Sequence, residues 1–326
     1  MRADRQALHD ITNAISGDTN LARNTFKVEK PFSFYKPPIK RINMERHNTV
    51  WEDLEYDFCL EGKRHLRPNP NYLTTQPEIN DQNRKTLFDW IIQVCDYKNF
   101  HDETIFLCCN LIDRFLGTCN VNRPKLQLVG SVALLISSKY LEVEFLTIEV
   151  LILFCDNIYS HKEHVDMEQL MTNNLEWSFT VSTPLEFVQK YCILLNLNKD
   201  VIDSAIYYCA LDLMNYRSLH HRPSVIAAAA LVASLHEHSL SLWDLEIQNM
   251  TQCKFQEVSD LADGMIATKK IARALPVFAC LIEQTEKKNQ NTTTYIDTFS
   301  LPHMSRIAIY EHRFVFVDLK ITCYDE

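Results

Sequence analysis

The chain has 326 residues, 46% of them apolar, and a formal charge of −9 from 33 Lys+Arg against 42 Asp+Glu. That length supplies a sizeable core and suggests about two domains, while the acidic balance excludes a generic nucleic-acid binder, which needs a basic excess to neutralise phosphates. Five glycines, Gly17, Gly62, Gly117, Gly130 and Gly264, are too few for the turns of a sheet protein, so helices with short connections are expected.

Residues 1 to about 48 are polar and basic, with Pro31, Pro37 and Pro38 and no sustained apolar period. This tail is expected to be disordered. Its Arg2 and Arg5 are accompanied by Asp4 and Asp10, which argues against a transit peptide. From Trp51 a helical period begins. Leu87, Trp90, Ile91 and Val94 predict a helix over Arg84 to Tyr97, and Ile105, Cys108, Leu111, Ile112 and Phe115 predict the next. Lys125 to Tyr140 is a third, rich in small residues, and Ile148 to Phe154 a fourth. Ser160 and Glu163 form a capping-box pair that opens a fifth, running to about Leu175.

Thr183-Pro184-Leu185-Glu186 starts a second helical set: threonine caps, proline fits the first helical position and glutamate completes the box. Asp200 is expected to cap the following helix, Val201 to about Met214, and Val225 to Leu235 reads as a buried helix too short to span a membrane. Ser131-Val132-Ala133-Leu134-Leu135 is echoed by Ser224-Val225-Ile226-Ala227-Ala228, each after an Arg-Pro pair at 123–124 and 222–223. Two copies of one helical unit around a small-residue helix would explain this repeat. After Thr285 the composition becomes that of a linker, and Arg306 to Tyr324 has a strand preference foreign to an all-helical plan.

None of the 11 cysteines forms a C-x-x-C pair. Cys108, Cys109, Cys155, Cys209 and Cys280 lie among apolar residues, as core thiols in a reducing compartment would. The sequons at Asn249 and Asn291 are then chance matches. An enzyme of phosphate chemistry would show a glycine-rich loop, and no two glycines lie close enough to form one. His161 with His164, and His236 with His238, lack a glutamate-flanked zinc motif and are expected to be solvated surface histidines. No cofactor or metal is expected.

Several motifs carry a more specific message. Gln76-Pro77-Glu78-Ile79, then Asn83-Arg84-Lys85-Thr86-Leu87 with Asp89-Trp90, Ile112-Asp113-Arg114-Phe115-Leu116, Lys125-Leu126-Gln127-Leu128-Val129-Gly130 and Ser138-Lys139-Tyr140 occur in this order. In order and spacing they resemble the cyclin family across about Trp51 to Ala279. The Tyr72 to Ile79 segment is most similar to A-type cyclins, with B-type the near neighbour. The resemblance implies an all-α fold of two tandem five-helix cyclin boxes, preceded by an N-terminal helix and a disordered tail. The expected division is 1–48 tail, 49–180 first box with its preceding helix, 181–284 second box and 285–326 extension.

Lys139 shares a helix face with Val132, Leu135 and Ile136, and Glu168 lies beside Met171 and Leu175. Charges near apolar faces should find partners, because unpaired burial is costly; a lysine snorkelling from a helix end is the other reading. The resemblance implies that Lys139 and Glu168 hold a cyclin-dependent protein kinase, with Phe58, Ile136, Tyr140, Glu142 and Phe179 around them. It also implies a buried structural pair of Arg84 and Asp113, and a groove of Leu87, Trp90 and Gln127 that docks Arg-x-Leu peptides of substrates and inhibitors. Here Asn83 and Thr86 replace residues apolar in the A-type pattern, and Gln93 replaces an acid that meets the peptide's cation. Docking is therefore expected to be weakened or altered in specificity. Arg5, Leu8, Ile11 and Asn13 match a destruction box read by the ubiquitin ligase of mitosis, with Lys27 and Lys30 as nearby acceptors. The function implied is a non-catalytic activator of a cell-cycle kinase, in nucleus and cytoplasm. The alternatives are a transcription-type cyclin or a cyclin-fold transcription factor. The factor would carry a basic surface and a zinc ribbon, and neither nucleic acid nor membrane is expected as a partner.

Overall fold

The computed structural model describes residues 48–240 and 243–272. Eleven α-helices follow one another in these residues, with no strand among them. The first, α1 (Asn48–Glu61), precedes a set of five: α2 (Asp81–Lys98), α3 (Asp102–Leu116), α4 (Leu126–Leu141), α5 (Ile148–Phe154) and α6 (His161–Asn174). A second set of five follows: α7 (Pro184–Leu194), α8 (Lys199–Asp212), α9 (Pro223–Glu237), α10 (Leu245–Thr251) and α11 (Phe255–Ala272). The all-α expectation of two tandem five-helix units after an N-terminal helix matches this order.

Each set is built around one buried helix of small residues. Every residue of α4 from Leu126 to Ser138 is buried, and α2, α3, α5 and α6 pack around it. In the second set α9 is buried from Ser224 to Leu235 and is surrounded by α7, α8, α10 and α11. The sequence repeat thus marks the two central helices, whose small side chains let neighbours approach closely. The tightest approach is at Gly130, where an added Cβ would lie 2.5 Å from Leu87 Cδ1 of α2.

Helix starts follow local chemistry. Ser160 with Glu163 and Thr183 with Glu186 both form reciprocal capping boxes, and Pro184 occupies the first turn of α7. Asp200 does not cap α8. Asn198 does, its side chain accepting from the Val201 N–H, and Asp200 lies in the first turn, where a negative charge meets the helix dipole. His164 is also corrected. Expected on the surface, it is fully buried, with Nδ1 3.1 Å from the Ser160 carbonyl and its ring edge-on to Tyr159. Cys108, Cys109, Cys155 and Cys209 are buried free thiols, and burial pushes each above the usual thiol range.

Although α1 precedes the first set in the chain, it packs on α7 and α9 of the second. Lys190 of α7 pairs with Asp57, and Glu61 accepts from the Ser224 N–H at 2.7 Å and its hydroxyl at 2.9 Å. The tail with Arg5, Leu8, Ile11 and Asn13, Cys280, Asn291 and the strand-like Arg306 to Tyr324 all lie outside the described residues.

Candidate interaction surface

Two surfaces and a buried strut contain most of the described residues singled out from the sequence. The strut is the Arg84–Asp113 pair, which ties α2 to α3. Arg84 Nε donates to Asp113 Oδ1 and its Nη2 to Oδ2, both at 2.8 Å, with 2% and 3% of the side chains exposed. The Tyr72 hydroxyl donates to the same carboxylate at 2.7 Å, and the guanidinium lies 4.1 Å from the Phe88 ring centroid. The remaining guanidinium group, Nη1, donates to the Leu213 carbonyl at 2.8 Å, so this arginine also links the two helical sets. Burial acts to lower the arginine's proton affinity, but the adjacent Asp113 carboxylate outweighs it and Arg84 is held above its ordinary value.

The first surface forms where α4 ends beside α6. Lys139, in the last turn of α4, donates to Glu168 Oε1 at 2.7 Å; the side chains are 38% and 24% exposed. Each charge has the partner its apolar setting calls for, and both remain open to water. Ile136, one turn earlier, is buried beneath. Tyr140 packs edge-on against Phe179 at 6.0 Å, and its hydroxyl lies 2.6 Å from Thr180 Oγ1. Burial pushes the Tyr140 phenol up, against the lowering effect of the Thr180 bond.

Phe58 projects from α1 onto Phe187 of the second set, with ring centroids 5.1 Å apart. Glu142 has a different task from the one expected. It is buried, and its Oε1 accepts from the His101 N–H at 2.9 Å and from the Thr104 hydroxyl, so it caps α3 from across the unit.

The sequence reading missed Trp177. It stands 6.2 Å from Phe179 and is 44% exposed. Glu176 and Trp177 both adopt left-handed backbone, with φ of 52° and 54°. This is costly for side chains with a Cβ, and such strain clusters at binding sites. The only sequence signal was a large aromatic in the non-helical stretch before Thr183.

The second surface follows α2. Leu87 and Trp90 are buried, Leu87 against Gly130. Gln127, one turn before Gly130 on α4, is buried as well. Gln93 is partly exposed and donates from Nε2 to Asp89 Oδ2 at 2.9 Å. Asn83 closes a capping box with Asn80, so its polar side chain starts α2. Among the described residues no group of His, Cys, Asp and Glu is arranged to hold a metal ion, and no helix is long and apolar enough to cross a membrane.

Comparison with known proteins assigns residues 55–180 to the family model "Cyclin, N-terminal domain" and residues 182–276 to "Cyclin, C-terminal domain". The chain is 39% identical over 176 residues to Cyclin-B2-2 of Oryza sativa subsp. indica, covering 54% of this chain and 42% of that protein. It is 34% identical over 222 residues to G2/mitotic-specific cyclin-1 of Antirrhinum majus, covering 68% of this chain and 46% of that protein. The chain therefore spans less than half the length of these two curated relatives. A viral cyclin from herpesvirus saimiri shares the fold, with a TM-score of 0.59 at 17% identity over 68% of this chain and 96% of that one.

Proposed function

The chain belongs to the cyclin family, and on that premise we propose that it binds a cyclin-dependent serine/threonine protein kinase and activates it in the cell cycle, at S phase or G2–M, as a subunit without catalysis of its own. The mitotic class is supported by relatives named as B-type and G2/mitotic-specific, which stand beside the A-type-like segment at Tyr72 to Ile79.

One observation carries the reading: a half-open Lys139–Glu168 pair at the end of α4, where Tyr140, next along the chain, packs on Phe179 and Phe179 in turn lies 6.2 Å from Trp177. An ion pair at this exposure contributes less than about 1 kcal/mol. Its partners can exchange each other for groups of a docking chain at little cost. Tyr140, Phe179 and the exposed Trp177 add apolar area for the docking chain. On this reading Lys139 and Glu168 hold the kinase segment around its regulatory C-helix. The helix is kept inward, the kinase's own Lys–Glu pair is completed and its activation loop opens. All bond making and breaking belongs to the kinase.

Within the same proposal, Arg5, Leu8, Ile11 and Asn13 are a destruction box for the ubiquitin ligase of mitosis. The groove of Leu87, Trp90, Gln127 and Gln93 docks substrates or inhibitors, and the protein works in nucleus and cytoplasm.

The test is phosphorylation of a histone peptide by several cyclin-dependent kinases mixed with the purified chain. Activation by wild type and loss of at least about tenfold with Lys139→Ala, equivalent to about 1.4 kcal/mol of binding, is the expected result. Failure of the wild-type chain to bind or activate any of them would overturn the proposal.

A further inference from the structure

A cavity of about 90 Å³ lies between the two helical sets. Arg84 of α2 with Phe106 and Asp113 of α3 form one wall, and Cys209 and Asp212 of α8 with Ile226 of α9 form the other. Arg67, Asn215 and His221 stand at its mouth, each partly or fully open to water. A space of that size holds more than one water but is smaller than the roughly 150 Å³ that takes benzene, so it suits a ligand of about five non-hydrogen atoms.

Asp212 is the acid in this cavity that lacks a counter-charge. Other buried acids at the junction of the two sets have one: Asp113 pairs with Arg84, Asp57 with Lys190, and Glu61 with Arg222 at 3.8 Å. Both hydrogen bonds to the Asp212 carboxylate, from Ser218 and Asn215, fall on Oδ1 and come from neutral groups. Among the described residues no ion pair includes Asp212 and no hydrogen bond reaches its Oδ2. Arg84 acts on it only through space, because the Arg84 bonds go to Asp113 and the Leu213 carbonyl. Asn215 is exposed and its amide donates to the carboxylate at 3.3 Å, so the carboxylate sits one hydrogen bond inside the mouth. An ionised carboxylate held from water without a partner is costly, and an entering cation relieves that cost.

We propose that this cavity binds a small organic cation, a guanidino or primary amino compound of about five non-hydrogen atoms, whose N–H groups donate to Asp212 Oδ2. The site goes beyond kinase binding and does not depend on it. The Arg84–Asp113 pair is neutral as a unit, so the ionised Asp212 sets the sign of the inner wall. Arg67 is the like charge that a ligand passes, and it stands at the mouth, where water and salt screen it. Leu66, Phe106 and Ile226 supply apolar wall, which lowers the local dielectric and strengthens the bond to the carboxylate. A ligand here touches both helical sets, so unfolding must release it, and binding stabilises the fold by mass action.

The test titrates the full chain with methylguanidinium and with methylurea, its neutral counterpart of the same shape, by calorimetry at pH 7.5. Ligand is carried to about 20 mM, which covers a millimolar Kd and stays far below the molar range that unfolds proteins. Wild type is expected to bind methylguanidinium at one site, at least about tenfold more tightly than methylurea. Asp212→Asn, checked for its helical circular dichroism, is expected to lose at least about tenfold in affinity for the cation alone. The cation should also raise the unfolding midpoint of wild type and leave that of Asp212→Asn in place. A second measurement needs no variant. Burial holds the Asp212 carboxyl up at about 6, so lowering the pH from 7.5 to 5 protonates it and should weaken cation binding by about tenfold. The titratable and charged groups facing Asp212 are Arg84, Cys109 and Asp113 from the first set, Cys209 and His221 from the second, and Arg67 at the mouth. Of these His221 is the one able to gain a proton in that range, so the fall should persist in His221→Gln. Equal binding of the two compounds, undiminished binding in Asp212→Asn, a pH dependence that vanishes in His221→Gln, or no binding at all would each overturn the inference.

Discussion

Of the hydrogen bonds donated by the Arg84 guanidinium, two go to Asp113 and one to the Leu213 carbonyl, and none to Asp212 next along the chain. Asp212 is buried near Arg84, yet its Oδ1 bonds only to neutral groups, the Ser218 hydroxyl at 2.6 Å and the Asn215 amide at 3.3 Å. Burial pushes its carboxyl up to about 6 from an ordinary 3.8. The folded state therefore holds this proton more tightly than the unfolded chain does. Stability from this group is fully present below the unfolded value and is lost as pH rises through about 6. The gap corresponds to about 3 kcal/mol. Asp212→Asn should keep the Ser218 bond and remove the buried charge. Urea unfolding should find the variant more stable than wild type at pH 7.5 by about that amount, with the advantage shrinking toward pH 4. An equal difference at both pH values would refute this account.

Two glycines inside helices have opposite reasons for being there. At Gly130 of α4 a Cβ would collide with Leu87 of α2, a core side chain with no room to retreat. Gly130→Ala should cost about 1–3 kcal/mol, as overpacking does. At Gly264 of α11 an added Cβ meets nothing within 4 Å. Gly264→Ala should therefore gain up to about 1 kcal/mol from helix propensity. Denaturation midpoints moving in opposite directions would bear both out, and the same direction for both would count against the packing described. Element starts were legible where a complete motif was present, as at Ser160 and Thr183. At α8 Asn198 and Asp200 are both able to cap, and only the chain's path shows that Asn198 has the extended backbone a cap needs.

At the scale of the molecule, α1 is the clasp of the second helical set. Two of its carboxylates reach across: Asp57 to Lys190 and the Ser182 hydroxyl, Glu61 to the start of α9. Glu61 satisfies an N-terminal backbone donor of α9, a group that helical geometry leaves without a partner. Glu61→Ala leaves the buried Ser224 N–H and hydroxyl unpaired, at a cost of about 1–3 kcal/mol. Hydrogen exchange at the Ser224 amide should quicken and the denaturation midpoint should fall, whereas unaltered exchange would mean that α1 is not held through this contact. Because Arg84 of α2 bonds to the Leu213 carbonyl and α3 packs against α7, the two sets present their surfaces in a fixed relation.

The sequence by itself determined the helical class, the order of the two sets and their central helices, because apolar period, capping pairs and small-residue runs are local properties of the chain. It also singled out Lys139 and Glu168, since a charge on an apolar face is visible in the spacing alone. Tertiary structure alone decided that these two meet, that Glu142 turns inward to cap α3, that His164 is buried and that Trp177 stands open beside Phe179. The reason is common to all four: a side chain's partner and exposure depend on which distant element packs over it, and residue spacing carries no information about that.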